Sequence, residues 1–340
     1  MAGNKNGGAE LYSTDLMLSL HEAGLDQRVV MRPTAPRFAE LEQAGLVMEP
    51  DVLATAFRPL QRLRLKHLIA AYKPDIIQCW MRRAVSLVPP GSAPAIIGWY
   101  GDYEEQQHFS ACTHFIGVTR DLVRHAYENG ATPGSAFYVP TFPSVDDAVP
   151  LDRASLKTPS DAKTLLILSR LHKVKGIDTA LQALALLPDC HLWIAGSGPE
   201  EHSFKALAST LGVAERVRFL GWRTDRGALL RAADICLLPS RYEPFGTVIL
   251  DAWSTTTALI ACASDGPRAT LLDGENGLLV PIDDAAALAS ATRRLLDDPA
   301  LRARIAEAGN ATYLEHFTRA AVTRTMLQTY AAIAAQSRAD

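Results

Sequence analysis

The chain has 340 residues, 48% of them apolar and 21% charged, with a formal charge of -3. These are globular proportions at a length sufficient for two domains, each with its own core, and the near-neutral balance gives no basis for nucleic-acid binding. No stretch is long and apolar enough to span a bilayer and no signal peptide is expected ahead of the first motif. The five cysteines stand apart with no Cys-x-x-Cys pair, so they read as reduced residues of a cytoplasmic protein.

The first ten residues, Met1-Ala2-Gly3-Asn4-Lys5-Asn6-Gly7-Gly8-Ala9-Glu10, have the look of a glycine-rich turn that follows a strand, yet almost nothing precedes them. A parallel sheet short of an internal strand leaves helix faces uncovered and backbone groups unpaired, so an apolar strand upstream of Met1 is expected in the natural fold. Gly7 and Gly8 are candidate donor-site residues because glycine lets a ligand approach the backbone closely; flexible turn glycines are the plain alternative. Tyr12, Leu16, Leu20 and Ala23 then recur at helical spacing, and strands are expected at 28–31, 75–79, 95–99, 114–118 and 137–139. Strands alternating with helices in this way predict a parallel, doubly wound sheet.

Within the helical pattern near residue 58, Arg58, Arg62 and Lys66 fall at i, i+4 and i+8, with Arg64 and His67 alongside. A solvated face and a peripheral contact with anionic lipid both fit. Trp80, Arg82 and Arg83 follow a strand end, where ligands of open α/β sheets collect. Trp99 and Tyr100 end another strand, and such a pair either stacks on a sugar or packs in the core. Asp102 is the nearest carboxylate, and His108 lies one turn further on, where a surface histidine is the plain reading.

From residue 140 to 161 the periodicity stops among prolines, serines and aspartates, which predicts an interdomain linker at 146–162 between a first domain at 1–145 and a second at 163–317. The second domain opens with an apolar strand, Leu165 to Leu168, that runs into Ser169-Arg170-Leu171-His172-Lys173-Val174-Lys175-Gly176 and then a helix. Arg170, Lys175 and that helix N-terminus suit a diphosphate. Lys173 reads as a solvated charge and His172 as a neutral loop histidine. Leu192 to Ala195 leads into Gly196-Ser197-Gly198-Pro199, a strand, turn and helix start with Pro199 suited to the first helical position. The strand at 216–220 ends in Gly221-Trp222-Arg223.

The most telling segment follows the strand Ile235 to Leu238. It reads Pro239-Ser240-Arg241-Tyr242-Glu243-Pro244-Phe245-Gly246-Thr247-Val248-Ile249-Leu250-Asp251. Gly246 lets the chain turn so that the amides of Thr247 and Val248 point at an anion, while Glu243 and Asp251 accept hydrogen bonds from hydroxyls. Residues 318–340 are helical in pattern.

The Glu-x7-acid segment with Glu-Pro-Phe-Gly, and Ser169-Arg170-Leu171-x3-Lys175-Gly176, resemble the motifs of the family-4 (group 1) retaining glycosyltransferases of GT-B fold. Asp251 stands where that family has Glu, and Ser169 where it has Gly. The resemblance implies two Rossmann-like domains facing a cleft, the first strand of the N-terminal one missing. The first domain would bind acceptor and the second the nucleotide sugar, with the C-terminal helix crossing back to brace the first. It further implies transfer of a hexose-type sugar with retention, without a metal or cofactor, from a UDP-sugar first and GDP- or ADP-sugars as alternatives. The acceptor would be a glycan or lipid-linked sugar of a surface polysaccharide or lipopolysaccharide. The resemblance gives the catalytic roles to Glu243, Arg170 and Lys175; where many relatives place a histidine near the reacting carbon this chain departs from the pattern, and Asp102 is the catalytic candidate as the nearest polar residue beside Tyr100. Ser169, Gly196, Gly198, Trp222, Pro244, Phe245, Gly246, Thr247, Val248 and Asp251, with Gly7 and Gly8, hold the donor. Trp80, Arg82, Trp99, Tyr100 and His108 face the acceptor. A sugar-nucleotide epimerase of related fold and a non-catalytic binding or scaffold subunit are the rival readings. A nicotinamide oxidoreductase is disfavoured because the first turn lacks Gly-x-Gly-x-x-Gly.

Overall fold

Every pair of named strands is parallel, as strand–helix alternation requires. The computed structural model describes residues 8–145 and 148–339, and the chain divides into two units, Met1–Phe142 with Arg319–Asp340, and Pro143–Thr318.

The first unit runs α1 (Gly8–Glu22), β1 (Arg28–Val29), α2 (Phe38–Gln43), β2 (Val47–Met48), α3 (Arg58–Tyr72), β3 (Ile76–Trp80), α4 (Met81–Val85), β4 (Ala95–Tyr100), β5 (His114–Gly117), α5 (Arg120–Glu128) and β6 (Ala136–Tyr138). The expected single sheet is in two pieces, β1-β2 and β3-β4-β5-β6, and the described residues hold no strand that joins them. β4 is buried along its whole length, which explains its unbroken apolar run. Arg58 donates to Ser86 Oγ, Arg62 to the Ser86 carbonyl and Arg64 to the Asp51 carbonyl, so three of the basic residues of α3 are engaged by the protein itself. Among the described residues no helix is long and apolar enough to cross a membrane.

The second unit runs β7 (Lys163–Leu168), α6 (Ile177–Ala185), β8 (Cys190–Ala195), α7 (Glu201–Thr210), β9 (Val217–Gly221), α8 (Arg226–Ala232), β10 (Ile235–Leu238), α9 (Thr247–Ser254), β11 (Leu259–Cys262), α10 (Asp265–Thr270), β12 (Leu278–Val280), α11 (Ala285–Asp297) and α12 (Pro299–His316). α13 (Arg319–Ala339) then returns to the first unit, where Val322, Met326 and Ile333 are buried and Thr323 Oγ1 lies 2.6 Å from Ser19 Oγ on α1. The sheet order is β12-β11-β10-β7-β8-β9. The chain winds outward from β7 through β8 to β9, then crosses back to lay β10 on the other side of β7. The switch point of the sheet is therefore between β7 and β10, and the carboxyl ends of these two strands launch the two charged motifs.

The stretch expected as an interdomain linker, 146–162, is tied to the second unit where it is described. Arg153 donates to the carbonyls of Ala232 and Ala162, Arg218 to those of Leu156 and Lys157, and the buried Trp193 indole to Thr158 Oγ1 at 2.9 Å. Prolines stop regular structure here, but the backbone groups still find partners on the second unit.

Candidate functional site

After β7 the chain makes a short 3-10 turn at Lys173–Lys175, capped by His172, whose Nδ1 accepts from the Val174 N–H at 3.4 Å. Gly176, at φ 62°, closes this turn and opens α6. A side chain there would place its Cβ 1.9 Å from the Pro239 carbonyl oxygen, so the loop after β7 and the loop after β10 meet only because residue 176 is glycine. The Arg241 N–H donates to the Val174 carbonyl at 2.8 Å across the same seam. Gly246, at φ 87°, then turns the second loop into α9.

The neighbouring loops press on this pair. Leu171 donates to the Ser197 carbonyl at 3.0 Å and Glu200 to the Leu171 carbonyl at 3.1 Å, with Gly196 and Gly198 leaving room for the carbonyls of Ser169 and Leu171. Both glycines thus serve the approach of backbone to backbone. Pro199 precedes the helix rather than opening it, since α7 starts at Glu201 with Glu200 as its cap. On the other side Gly266 donates to the Glu243 carbonyl at 2.7 Å.

This scaffold sets the charges. Lys175 Nζ lies 2.6 Å from Glu243 Oε2, with only 16% and 15% of the two side chains exposed, and Ser240 Oγ donates to the same oxygen at 3.3 Å. Arg170 is exposed and, among the described residues, has no side-chain partner. Thr247 and Val248 form the first turn of α9, where amides have no intrahelical acceptor. Ser169 Oγ is buried without a partner. Phe245 is buried and packs, whereas the Trp222 ring, on the turn after β9, is 64% exposed.

Asp251 sits on α9 but is 1% exposed, and Arg226 from α8 donates to its Oδ2 at 2.8 Å. Burial pushes its carboxyl up to about 6, against the opposing pull of Arg226. Arg226 has no counterpart in the sequence reasoning, and neither does Arg241, which binds Asp178 and Asp283. Residue spacing gave no signal for pairs so distant in the chain.

In the first unit the aromatic candidates are core. Trp80 and Trp99 are 5.6 Å apart between ring centroids, Tyr12 stacks on Trp99 at 6.0 Å, and Tyr100 is wholly buried against Phe109 and Phe115 with its hydroxyl on Gln106. Of the two readings of Trp99 and Tyr100, stacking on a sugar or packing in the core, the burial of β4 on both faces favours the second, since consecutive residues 99 and 100 are both withdrawn from solvent. Met81, which opens α4, has φ 63°, a left-handed conformation for a side chain of its size. Next to it Arg82 Nε lies 3.1 Å from Glu104 Oε2, and burial raises the Glu104 carboxyl above its ordinary value. Glu104 was not singled out from sequence. Asp102 is exposed and accepts from the Tyr103 N–H at 2.8 Å, and His108 lies 3.8 Å from Glu105. Gly8 opens α1; Gly7 lies outside the described residues.

The family profile "Glycosyl transferases group 1" matches residues 149–312, which include both charged loops. The lipopolysaccharide core biosynthesis glycosyltransferase LpsE of Rhizobium meliloti (strain 1021) is 34% identical over 325 residues, 95% of this chain and 96% of the relative. LpsD of the same organism, of the same description, is 31% identical over 326 residues, 95% of each. Among solved structures, HepE of Anabaena in complex with UDP superposes with a TM-score of 0.82 at 20% identity, covering 97% of this chain and 98% of that one, a likeness that shows the GT-B fold. With two near-full-length relatives above 30% identity and the motif loops in contact at the switch point, this chain belongs to the group 1 glycosyltransferases.

Proposed function

We propose that the protein moves a hexose-type sugar, with retention and without a metal, from a nucleoside diphosphate sugar to a growing lipopolysaccharide core or a related lipid-linked glycan. The observation that carries this reading is the 2.6 Å contact of Lys175 with Glu243 at the sheet's switch point, beside the exposed Arg170. As the glycosidic bond breaks, negative charge grows on the departing diphosphate, and Arg170, Lys175 and the first amides of α9 are the groups that stabilise it. Glu243 orients the sugar's hydroxyls. Asp251, acting with Arg226, is proposed for the ribose side, and the exposed Trp222 for the base. The acceptor hydroxyl's proton passes to the leaving phosphate oxygen in the front-face route. Two fixed cations supply the charge that a divalent ion would otherwise bring.

The names of LpsE and LpsD support the acceptor class, and the UDP complex of HepE supports UDP as the nucleotide. We place the protein in the cytoplasm, with any contact to anionic lipid left to Lys66 and His67, since Arg58, Arg62 and Arg64 are engaged. The test is calorimetric binding of UDP, GDP, ADP and dTDP and their sugars, with and without EDTA, to wild type and Glu243→Ala. The expected result is chelator-resistant preference for UDP, with sugar-nucleotide affinity lowered in the variant. A folded protein that ignores every nucleotide sinks the reading.

A further inference from the structure

Two residues before Glu243, Arg241 directs four of its five guanidinium N–H donors to protein acceptors. Nη1 and Nη2 fork onto Asp178 Oδ1 and Oδ2 at 2.9 and 2.7 Å, Nε lies 2.7 Å from Asp283 Oδ1, and Nη1 also reaches the Lys173 carbonyl. Its backbone N–H takes the Val174 carbonyl at 2.8 Å. Asp178 is in the first turn of α6, and Asp283 follows β12 in a left-handed conformation, φ 61°, with Thr179 donating to it at 3.2 Å. One side chain therefore joins three segments to the loop that carries Glu243.

The placement matters because of what adjoins it. Lys173 and Val174, whose carbonyls Arg241 holds, are the two residues before Lys175, and Arg241 itself is two residues from Glu243. The ammonium and the carboxylate are fixed to one another from behind. Among the described residues neither Asp178 nor Asp283 forms an ion pair with Lys175 or Glu243, and Arg241 is a link shared by the two halves of the pair.

We infer that Arg241 is the positioning residue of the donor site: it acts through Lys175 and Glu243 by holding them at their working separation. The inference rests on the donor reading proposed above. A misplacement on the order of 1 Å at a reacting centre lowers turnover by up to about a hundredfold. The loss should fall more on the sugar and the breaking bond than on the diphosphate, because, of the diphosphate's proposed ligands, Arg241 holds only Lys175, and Arg170 and the α9 amides are left in place.

The experiment compares wild type, Arg241→Ala, Arg241→Lys, Glu243→Ala and the Arg241→Ala/Glu243→Ala double variant. The readouts are Tm, calorimetric Kd for UDP and for UDP-glucose, and release of UDP from UDP-glucose with water as acceptor. Arg241→Ala is expected to keep UDP affinity within about threefold while losing the extra affinity that the glucose confers, and to slow UDP release about 10- to 100-fold. Arg241→Lys should recover Tm but not the glucose increment, because a point charge cannot bridge Asp178, Asp283 and the Lys173 carbonyl at once. In the Glu243→Ala background the Arg241 change should add less than about twofold to the loss of the glucose increment, since the carboxylate that meets the sugar is no longer there to be positioned. Where UDP release is below detection, the glucose increment alone decides. Equal loss of UDP and UDP-glucose affinity, recovery of both Tm and increment by lysine, or additive losses in the double variant would overturn the inference and leave the donor reading intact. A wild type that binds neither ligand overturns both.

Discussion

Asp251 shows how one methylene redistributes a site. A glutamate at this position has the reach to leave the helix face, but the shorter aspartate is enclosed on α9 and finds Arg226. Its carboxyl is raised to about 6 by burial, whereas an unfolded aspartate titrates near 3.9. The sign follows from linkage: a carboxyl raised in the folded state is a liability once ionised, so its stability contribution is intact below about pH 4 and is lost as pH rises through about 6. Asp251→Asn, which stays neutral throughout, should therefore gain on the wild type between pH 4 and 6, by on the order of 2 kcal/mol. Urea titrations of the two proteins across that range measure the gap, and a gap that shrinks with rising pH would show that Arg226 holds the carboxyl ionised and low. At this scale the sequence placed Arg170, Lys175 and Glu243 in the loops that follow two apolar strands, and the resemblance to family motifs supplied the roles proposed for them. Arg226 and Arg241 were not legible, because nothing local in a sequence tells an arginine which carboxylate it will meet after folding.

Among the elements, the loops after β7, β8, β10 and β11 hold one another through main-chain bonds, and glycines at 176, 196, 198 and 266 let carbonyls pass where a Cβ would collide. Gly176→Ala is the sharpest test. It puts a Cβ 1.9 Å from the Pro239 carbonyl at a positive φ, and should cost on the order of 3 kcal/mol. It should also part Lys175 from Glu243, so sugar-nucleotide binding should fall by more than the unfolded fraction explains. Thermal melts with and without UDP-glucose separate the two effects; a variant as stable as wild type would mean that the seam yields easily. The strand at 235–238 was read to the residue because a short apolar run between turn signals permits little else, and β4 and β7 were read within two residues of their ends. β2 went unread since two residues carry no periodicity, and β1 is shorter than 28–31 because only Arg28 and Val29 find a partner strand. The prolines at 140–159 mark a segment without strands, and its anchoring by Arg153, Trp193 and Arg218 depends on side-chain contacts that the proline pattern does not encode.

For the whole molecule, the two units differ in how the chain supplies them. Unit two is continuous, whereas unit one is assembled from residues before 143 and after 318. α13 gives unit one Val322, Met326 and Ile333, all fully buried, and each such side chain is worth roughly 1.5–3 kcal/mol of burial. A chain stopped after Thr318 should therefore lose unit one while keeping unit two. Hydrogen exchange reads this directly: amides of β4 should lose protection and those of β7 and β8 should retain it. Equal loss in both would show that the units unfold as one. The sequence showed α13 as a helix through its pattern, but its allegiance to α1 rests on contacts such as Ser19 with Thr323 that no pattern encodes. Because α13 follows unit two in the chain, the order of synthesis runs against the order of completion. The segment that leaves the ribosome first must wait, with its apolar faces uncovered, until its second neighbour has been made and folded. How long those faces stay uncovered is thus set by where the completing helix is written in the gene.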